Sequence, residues 1–162
     1  GKNKNKPWQN LISSSASHIA RDPLDELFDP EQVVQRLRVK KTGIKRALLD
    51  QNLISGIGNI YADESLWLAK LHFDRQADGI SKARLNELLG IVKEVLAKAT
   101  KQGGTSFDQQ YKNVNGEAGY FSQELFAYGQ TDKPCARCQT PIRRQAWANR
   151  GSHFCPRCQR PS

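Results

Sequence analysis

Through the middle of this 162-residue chain, apolar residues recur at three- and four-residue steps, the spacing of helices that each bury one face. The longest such stretch follows Ser81, a capping residue. There Leu85, Leu88, Leu89, Val92, Val95, Leu96 and Ala99 form one stripe, which Gly103-Gly104 ends. Upstream, Asp29-Pro30 is an N-cap followed by proline at the first helical position. That helix is predicted to turn Val33, Val34 and Leu37 inward and to end near Lys41. Thr42 is placed to cap a second helix, with Ile44, Ala47, Leu48 and Leu49 toward the core. Residues 52–58 break the pattern, and Asn59 opens a third helix, "NIYADESLWLAK", ending before His72.

Two stretches lack periodicity. Residues 1–28 are polar, rich in Ser, Asn, Lys and Pro, and read as an irregular linker. Residues 104–124 carry Gly104, Gly116 and Gly119, and a loop that long inside a compact domain is usually functional or disordered. A helical domain is therefore expected over residues 29–124. The tail over residues 126–160 is too small to hold a core without a metal.

Charge narrows the partner. The net charge is +9 and the isoelectric point about 9.6, which favours a polyanion. No stretch is apolar enough to span a bilayer, and no helix is basic on one face with aromatics opposite, so nucleic acid leads over a membrane surface. The basic residues cluster in two acid-free runs, Arg36 to Arg46 and the tail after Asp132. One such run is usually a solvated face; two, one of them on a tail with metal-ligand spacing, favour a phosphate-contact surface.

That spacing belongs to Cys135, Cys138, Cys155 and Cys158, all the cysteines of the chain, arranged as two C-x2-C knuckles. This is the pattern of a four-thiolate zinc ribbon, a closed tetrahedron whose metal is structural. Disulfides are the first rival, but no apolar signal segment precedes them. A redox C-x2-C is the second, but it needs one motif on a thioredoxin-like unit. His153 is a further candidate ligand, better placed as a strand side chain. With every cysteine assigned to metal, a reducing cytoplasm is the expected compartment. The fold class predicted is mainly α, with a small β-hairpin zinc ribbon after the helical domain.

The turn "LISGIGNIY" joins two of the helices. Gly56 and Gly58 permit positive φ and close backbone approach, so amide hydrogens at the next helix's N-terminus form an anion site beside Asn59. The plainer reading is a tight helix–helix corner. The basic helix before it, with Lys45 and Arg46 within reach of the same phosphates, favours the anion site.

Together, "DQNLISGIGNIYADESLW", "GGTSF", "NGEAGYF", "AYGQ", "PCARC" and "NRGSHFCPRCQ" resemble the C-terminal half of bacterial formamidopyrimidine-DNA glycosylases, from about Phe28 to Arg160. The resemblance implies a helix–two-turn–helix domain and a zinc finger, joined in the family to an N-terminal β-sandwich. It implies an enzyme that excises oxidised purines such as 8-oxoguanine and formamidopyrimidines and then nicks the abasic site by β,δ-elimination. A monomer acting on double-stranded DNA with oxidised bases or abasic sites, at the bacterial nucleoid, follows from the same source. So do the DNA-contacting roles of Lys45, Gly58, Asn59, Tyr61, Tyr120 and Arg150, with Arg150 also serving δ-elimination. The loop over about residues 104–120 is implied to close over the extruded base.

The sequence departs from the family where the chemistry starts. The family's nucleophile is an N-terminal proline amine followed by glutamate. Here Pro7 is internal, so its nitrogen is an amide, and no glutamate follows the free amine of Gly1. The chain is expected to be the DNA-gripping half of such an enzyme, inactive alone. Three rival readings stand: a stand-alone module that binds DNA without cutting, the equivalent part of endonuclease VIII acting on oxidised pyrimidines, and a zinc-ribbon adaptor for a protein partner. The last is disfavoured by arginines where an apolar patch belongs.

Overall fold

A computed structural model of the chain describes residues 20–103 and 125–161. The expected base-covering loop, Tyr120 within it, and residues 1–19 of the expected linker lie outside the described residues. The fold class is as the sequence predicts: four α-helices among the described residues, then a two-stranded hairpin.

Helix α1 (Pro30–Leu37) is capped by the Asp29 carboxylate, which accepts the Gln32 N–H at 3.3 Å, with Pro30 in the first turn. Val33, Val34 and Leu37 are buried. It stops short of Lys41 because residues 42–45 are held by another segment. The Ala77 N–H donates to the Thr42 carbonyl at 2.8 Å, and the Ile44 and Lys45 N–H groups donate to Arg75 and Phe73 carbonyls at 2.7 and 3.0 Å. Those carbonyls satisfy the first turn of α2 (Ile44–Leu48), whose N-cap is Gly43, not Thr42.

Helix α3 (Asn59–Ala69) is the centre of the molecule: nine of its eleven residues are buried. It packs between α2, the long helix α4 (Lys82–Gly103) and the hairpin. It ends at Lys70 in the left-handed region (φ 59°), with the Leu71 N–H returning to the Leu66 carbonyl at 3.0 Å. Ser81 accepts the Arg84 N–H at 3.2 Å, confirming it as the cap of α4, and the Arg84 guanidinium donates to the Ala69 carbonyl at 2.9 Å. Residues 20–28 are not a free linker. Ser55 N–H donates to the Arg21 carbonyl at 3.2 Å, and Phe28 packs on the core. Among the described residues no helix is long and apolar enough to cross a membrane.

The ribbon pairs β1 (Arg143–Trp147) with β2 (Arg150–Phe154), antiparallel, with Trp147 opposite Arg150. Its two-residue turn holds Ala148 and Asn149 at φ 47° and 62°, the type I′ geometry that matches strand twist. Asparagine tolerates that region; alanine adopts it at a cost. Ala148→Gly is therefore expected to stabilise the chain by a few tenths to about 1 kcal/mol, read as a rise in thermal midpoint. A fall would mean that the alanine methyl makes a contact worth more than the backbone strain.

The ribbon shares its core with the helices. Phe154 on β2 meets Phe73 edge-on, centroids 5.4 Å apart, and His72 at 5.0 Å. Thus one hydrophobic cluster runs from Val33 to Phe154.

Candidate nucleic-acid interface

The four cysteines converge. Their sulfurs all lie within 4.8 Å of one another, with Cys135–Cys158, Cys138–Cys155 and Cys138–Cys158 at 3.9, 3.5 and 3.6 Å. A Zn–S bond of about 2.3 Å sets a tetrahedral edge of about 3.8 Å, whereas a disulfide would hold two sulfurs near 2.0 Å. The donor set thus fits one structural zinc and no bridge. Each knuckle is braced locally: Gln139 N–H donates to the Cys135 carbonyl at 2.8 Å and Gln159 N–H to the Cys155 carbonyl at 2.9 Å. Contacts from the Thr140 hydroxyl and N–H hold the Cys138 thiol down to about 6, while burial pushes Cys155 up to about 12. Bound zinc makes all four thiolates.

Polar side chains bolt this ribbon to α3. Both oxygens of the Glu64 carboxylate, buried at 4% exposure, accept backbone N–H groups, from Phe126 and Ala127 at 2.7 Å and from Tyr128 at 2.8 Å. Burial pushes this carboxyl above the usual range, and the three N–H donors pull against that. Next to it, Asp63 accepts the His153 N–H and its ring Nδ1, both at 3.0 Å. His153 is accordingly a clamp residue, not a metal ligand. Gln159 reaches the Leu71 carbonyl at 3.0 Å.

Lys45 departs from expectation. It is fully buried, and its Nζ sits 2.8 Å from Asp63 Oδ1, 2.9 Å from Ser152 Oγ and 3.1 Å from the Gly151 carbonyl. A side chain so enclosed does not meet a phosphate on the surface. Burial first, with Arg150 nearby, pushes its pKa down, against the pull of Asp63. Asn59 Nδ2 donates to the same Gly151 carbonyl at 3.1 Å. Two donors from the helical domain therefore pin the peptide that follows Arg150.

Arg150 itself is exposed and lines a groove of about 770 Å³ between the hairpin turn and the helices. The other walls include Lys40, Lys41, Thr42, Arg46, Gly58 and Trp147, with Asp50 the acid among them. Asp50 is engaged by Lys40 at 2.9 Å. Arg46 and Lys45 lie over the Trp147 ring at 5.2 and 4.7 Å, so the indole props the cationic wall. Of the two turn glycines, Gly56 uses the left-handed region at φ 88°, whereas Gly58, at φ −97°, does not. No side chain caps α3, which leaves the positive end of the helix on the groove. Tyr61 is in the core at 7% exposure, where burial raises its phenol to about 12. The groove brings Gly58, Arg46 and Arg150 together, places Asn59 beside it, and leaves Lys45 and Tyr61 behind its walls.

Sequence reasoning missed the clamp. A signal was present: adjacent acids, Asp63-Glu64, inside an otherwise apolar helix need buried donors.

With this geometry in view, comparison with known proteins is specific. A family profile described as the formamidopyrimidine-DNA glycosylase H2TH domain matches residues 19–110, and one described as the zinc finger found in FPG and IleRS matches residues 132–161. The chain is similar to the formamidopyrimidine-DNA glycosylase of Streptomyces coelicolor, 60% identical over 145 residues, which are 90% of this chain and 51% of that protein. It is 59% identical to the one from Mycobacteroides abscessus, over 92% of this chain and 52% of that protein. The chain spans about half the length of the curated relatives it matches. The Lactococcus lactis enzyme, solved non-covalently bound to DNA with an AP site, superposes with a TM-score of 0.77 at 37% identity, over 94% of this chain and 54% of that one. MutM in complex with DNA containing carbocyclic 8-oxo-G superposes equally, at 38% identity over 95% and 55%.

Proposed function

The chain belongs to the formamidopyrimidine-DNA glycosylase family, and from that premise we propose that it is the DNA-gripping part of a base-excision enzyme that removes oxidised purines and nicks the abasic site by β,δ-elimination. The observation that carries the proposal is the groove, where Arg46, Lys41 and Arg150 face the uncapped start of α3. Helix dipole and guanidinium forks suit a phosphate. Arg150 makes the charged contact to the phosphates beside the extruded nucleotide and serves the second elimination. One amide hydrogen of Asn59 is committed to Gly151; the second is left for the same phosphates. Lys45 supports this indirectly, by fixing the turn that carries Arg150. The base-covering role implied for the loop over about residues 104–120, and the DNA contact implied for Tyr120, fall outside the described residues. The proline amine that opens the family's chemistry is not supplied by Pro7, whose nitrogen is an amide, so this chain alone grips damaged duplex and leaves it intact. It acts as a monomer.

Anisotropy titrations of abasic-site duplex over a range of salt test this. Arg150→Ala is expected to cost about 1.5–3 kcal/mol and to lower the salt slope by about one. Arg160→Ala, exposed beyond the last zinc ligand, is expected to change little. Equal, small effects would reduce the hairpin to a diffuse basic surface. A borohydride-trapped adduct with abasic DNA would overturn the absence of a nucleophile.

A further inference from the structure

The groove carries more cation than one phosphate needs. Lys40 is engaged by Asp50. Lys41, Arg46 and Arg150 line the same walls, are exposed, and have no acidic partner among the described residues. Like charges gathered in one cleft repel each other until an anion joins them. At about 770 Å³ the cleft has room for more than one group of a ligand. Of the three cations, Arg46 is set in place by an aromatic ring. Its guanidinium lies over Trp147, 5.2 Å from the ring centre. Trp147 is itself held: it is half-buried, meets Phe73 edge-on at 6.5 Å, and has the Lys45 ammonium 4.7 Å from its centre. It also closes β1 directly opposite Arg150. A guanidinium held over a ring keeps its planar fork of N–H groups for another partner. Arg46 gives that fork to no other described residue.

Resting on the reading above that this groove takes DNA backbone, we infer that Arg46, held by Trp147, grips a second phosphate, separate from the one that Arg150 holds. Trp147 is then a positioning residue that acts through Arg46. The groove spans two phosphates, one anchored from α2 and one from the hairpin turn. The zinc ribbon contributes to both, through Arg150 directly and through the indole that fixes its neighbour. The charge count agrees, since a single phosphate would leave Lys41 and one arginine facing each other without an anion.

The test uses the whole zinc-loaded chain and abasic-site duplexes in which one phosphate at a time is replaced by a neutral methylphosphonate. Replacing a gripped phosphate weakens binding, so the native chain should be sensitive at two positions or more. Arg46→Ala is expected to lose sensitivity at one of them, to bind about tenfold more weakly and to lower the salt slope by about one. Arg150→Ala should lose sensitivity at the other. Trp147→Leu keeps every charge, yet it should bind about threefold more weakly and become indifferent at the Arg46 position alone. Trp147→Phe, which keeps a ring, should restore that position. Adding Trp147→Leu to Arg46→Ala should cost little more, which a merely structural role for the indole would not give. Arg46→Ala that loses no position, or the same position as Arg150→Ala, overturns the inference, as does Trp147→Leu that blunts the Arg150 position instead. Insensitivity of the native chain at every position overturns the wider reading of the groove and this inference with it.

Discussion

Chelating the zinc is expected to unfold the ribbon and abolish tight DNA binding while α1 to α4 keep most of their helicity. Structural zinc binding is worth about 10–16 kcal/mol in isolated fingers, far above any other single interaction in this chain. Among the described residues, the apolar cluster around the metal is Ala127, Ile142, Trp67 of α3 and the cysteines themselves. Without the metal, four sulfurs in close contact have nothing to hold them, and the hairpin loses both ends. Arg150 then has no fixed place, because the peptide after it is pinned only while Gly151 faces Lys45 and Asn59. Near-ultraviolet circular dichroism should lose the signal of Trp147, which sits edge-on to Phe73 at 6.5 Å. Far-ultraviolet helicity should fall little. Zinc-free protein with native near-ultraviolet signal and unchanged DNA affinity would refute the assignment of the metal as structural.

Asp63→Asn comes second. It leaves the Lys45 ammonium buried at 0% exposure with only a hydroxyl and a carbonyl for partners. Removing one member of a buried ion pair costs about 3–5 kcal/mol. Burial already lowers the pKa of Lys45 and Asp63 opposes it, so the variant lowers it further. The sign of the pH dependence follows. A lysine whose folded pKa is depressed is neutral in the folded state before the unfolded one. The loss is therefore complete at neutral pH and shrinks as pH rises toward the ordinary lysine value of 10.5. Urea midpoints at several pH values test it; a deficit that stays constant into the alkaline range means that the asparagine amide still satisfies the site. Lys45→Met should also destabilise, and the double variant should cost less than the sum.

Much of this molecule could be read from local sequence. The Asp29-Pro30 start and the stripe from Leu85 to Ala99 predict α1 and α4 because caps and one buried face are local signals. The cysteine spacing does the same for the metal. Lys45 could not be read, since its partners are Asp63 on the next helix and Ser152, 107 positions away. In a basic run it looks like its solvated neighbours. The core position of Tyr61 could not be read for a related reason. A helix buried on nearly all sides has no periodicity to say which residues face a ligand. The missing Thr42 cap reflects tertiary override: backbone carbonyls from residues 73 and 75 arrive at the same N–H groups.

The Glu64 carboxylate, gripping three successive amides at the entrance to the ribbon, bears on how this finger could be transplanted. A ribbon cut out at residue 126 leaves behind the acceptor that orders its first turn, and with it Asp63, which orders its second strand. A chimera carrying the foreign finger alone would bring three N–H donors to a host with no carboxylate to receive them. Exchange between relatives is therefore expected to succeed only when the helix bearing both acids travels with the finger, so the inheritable unit begins at residue 59 and not at the first cysteine.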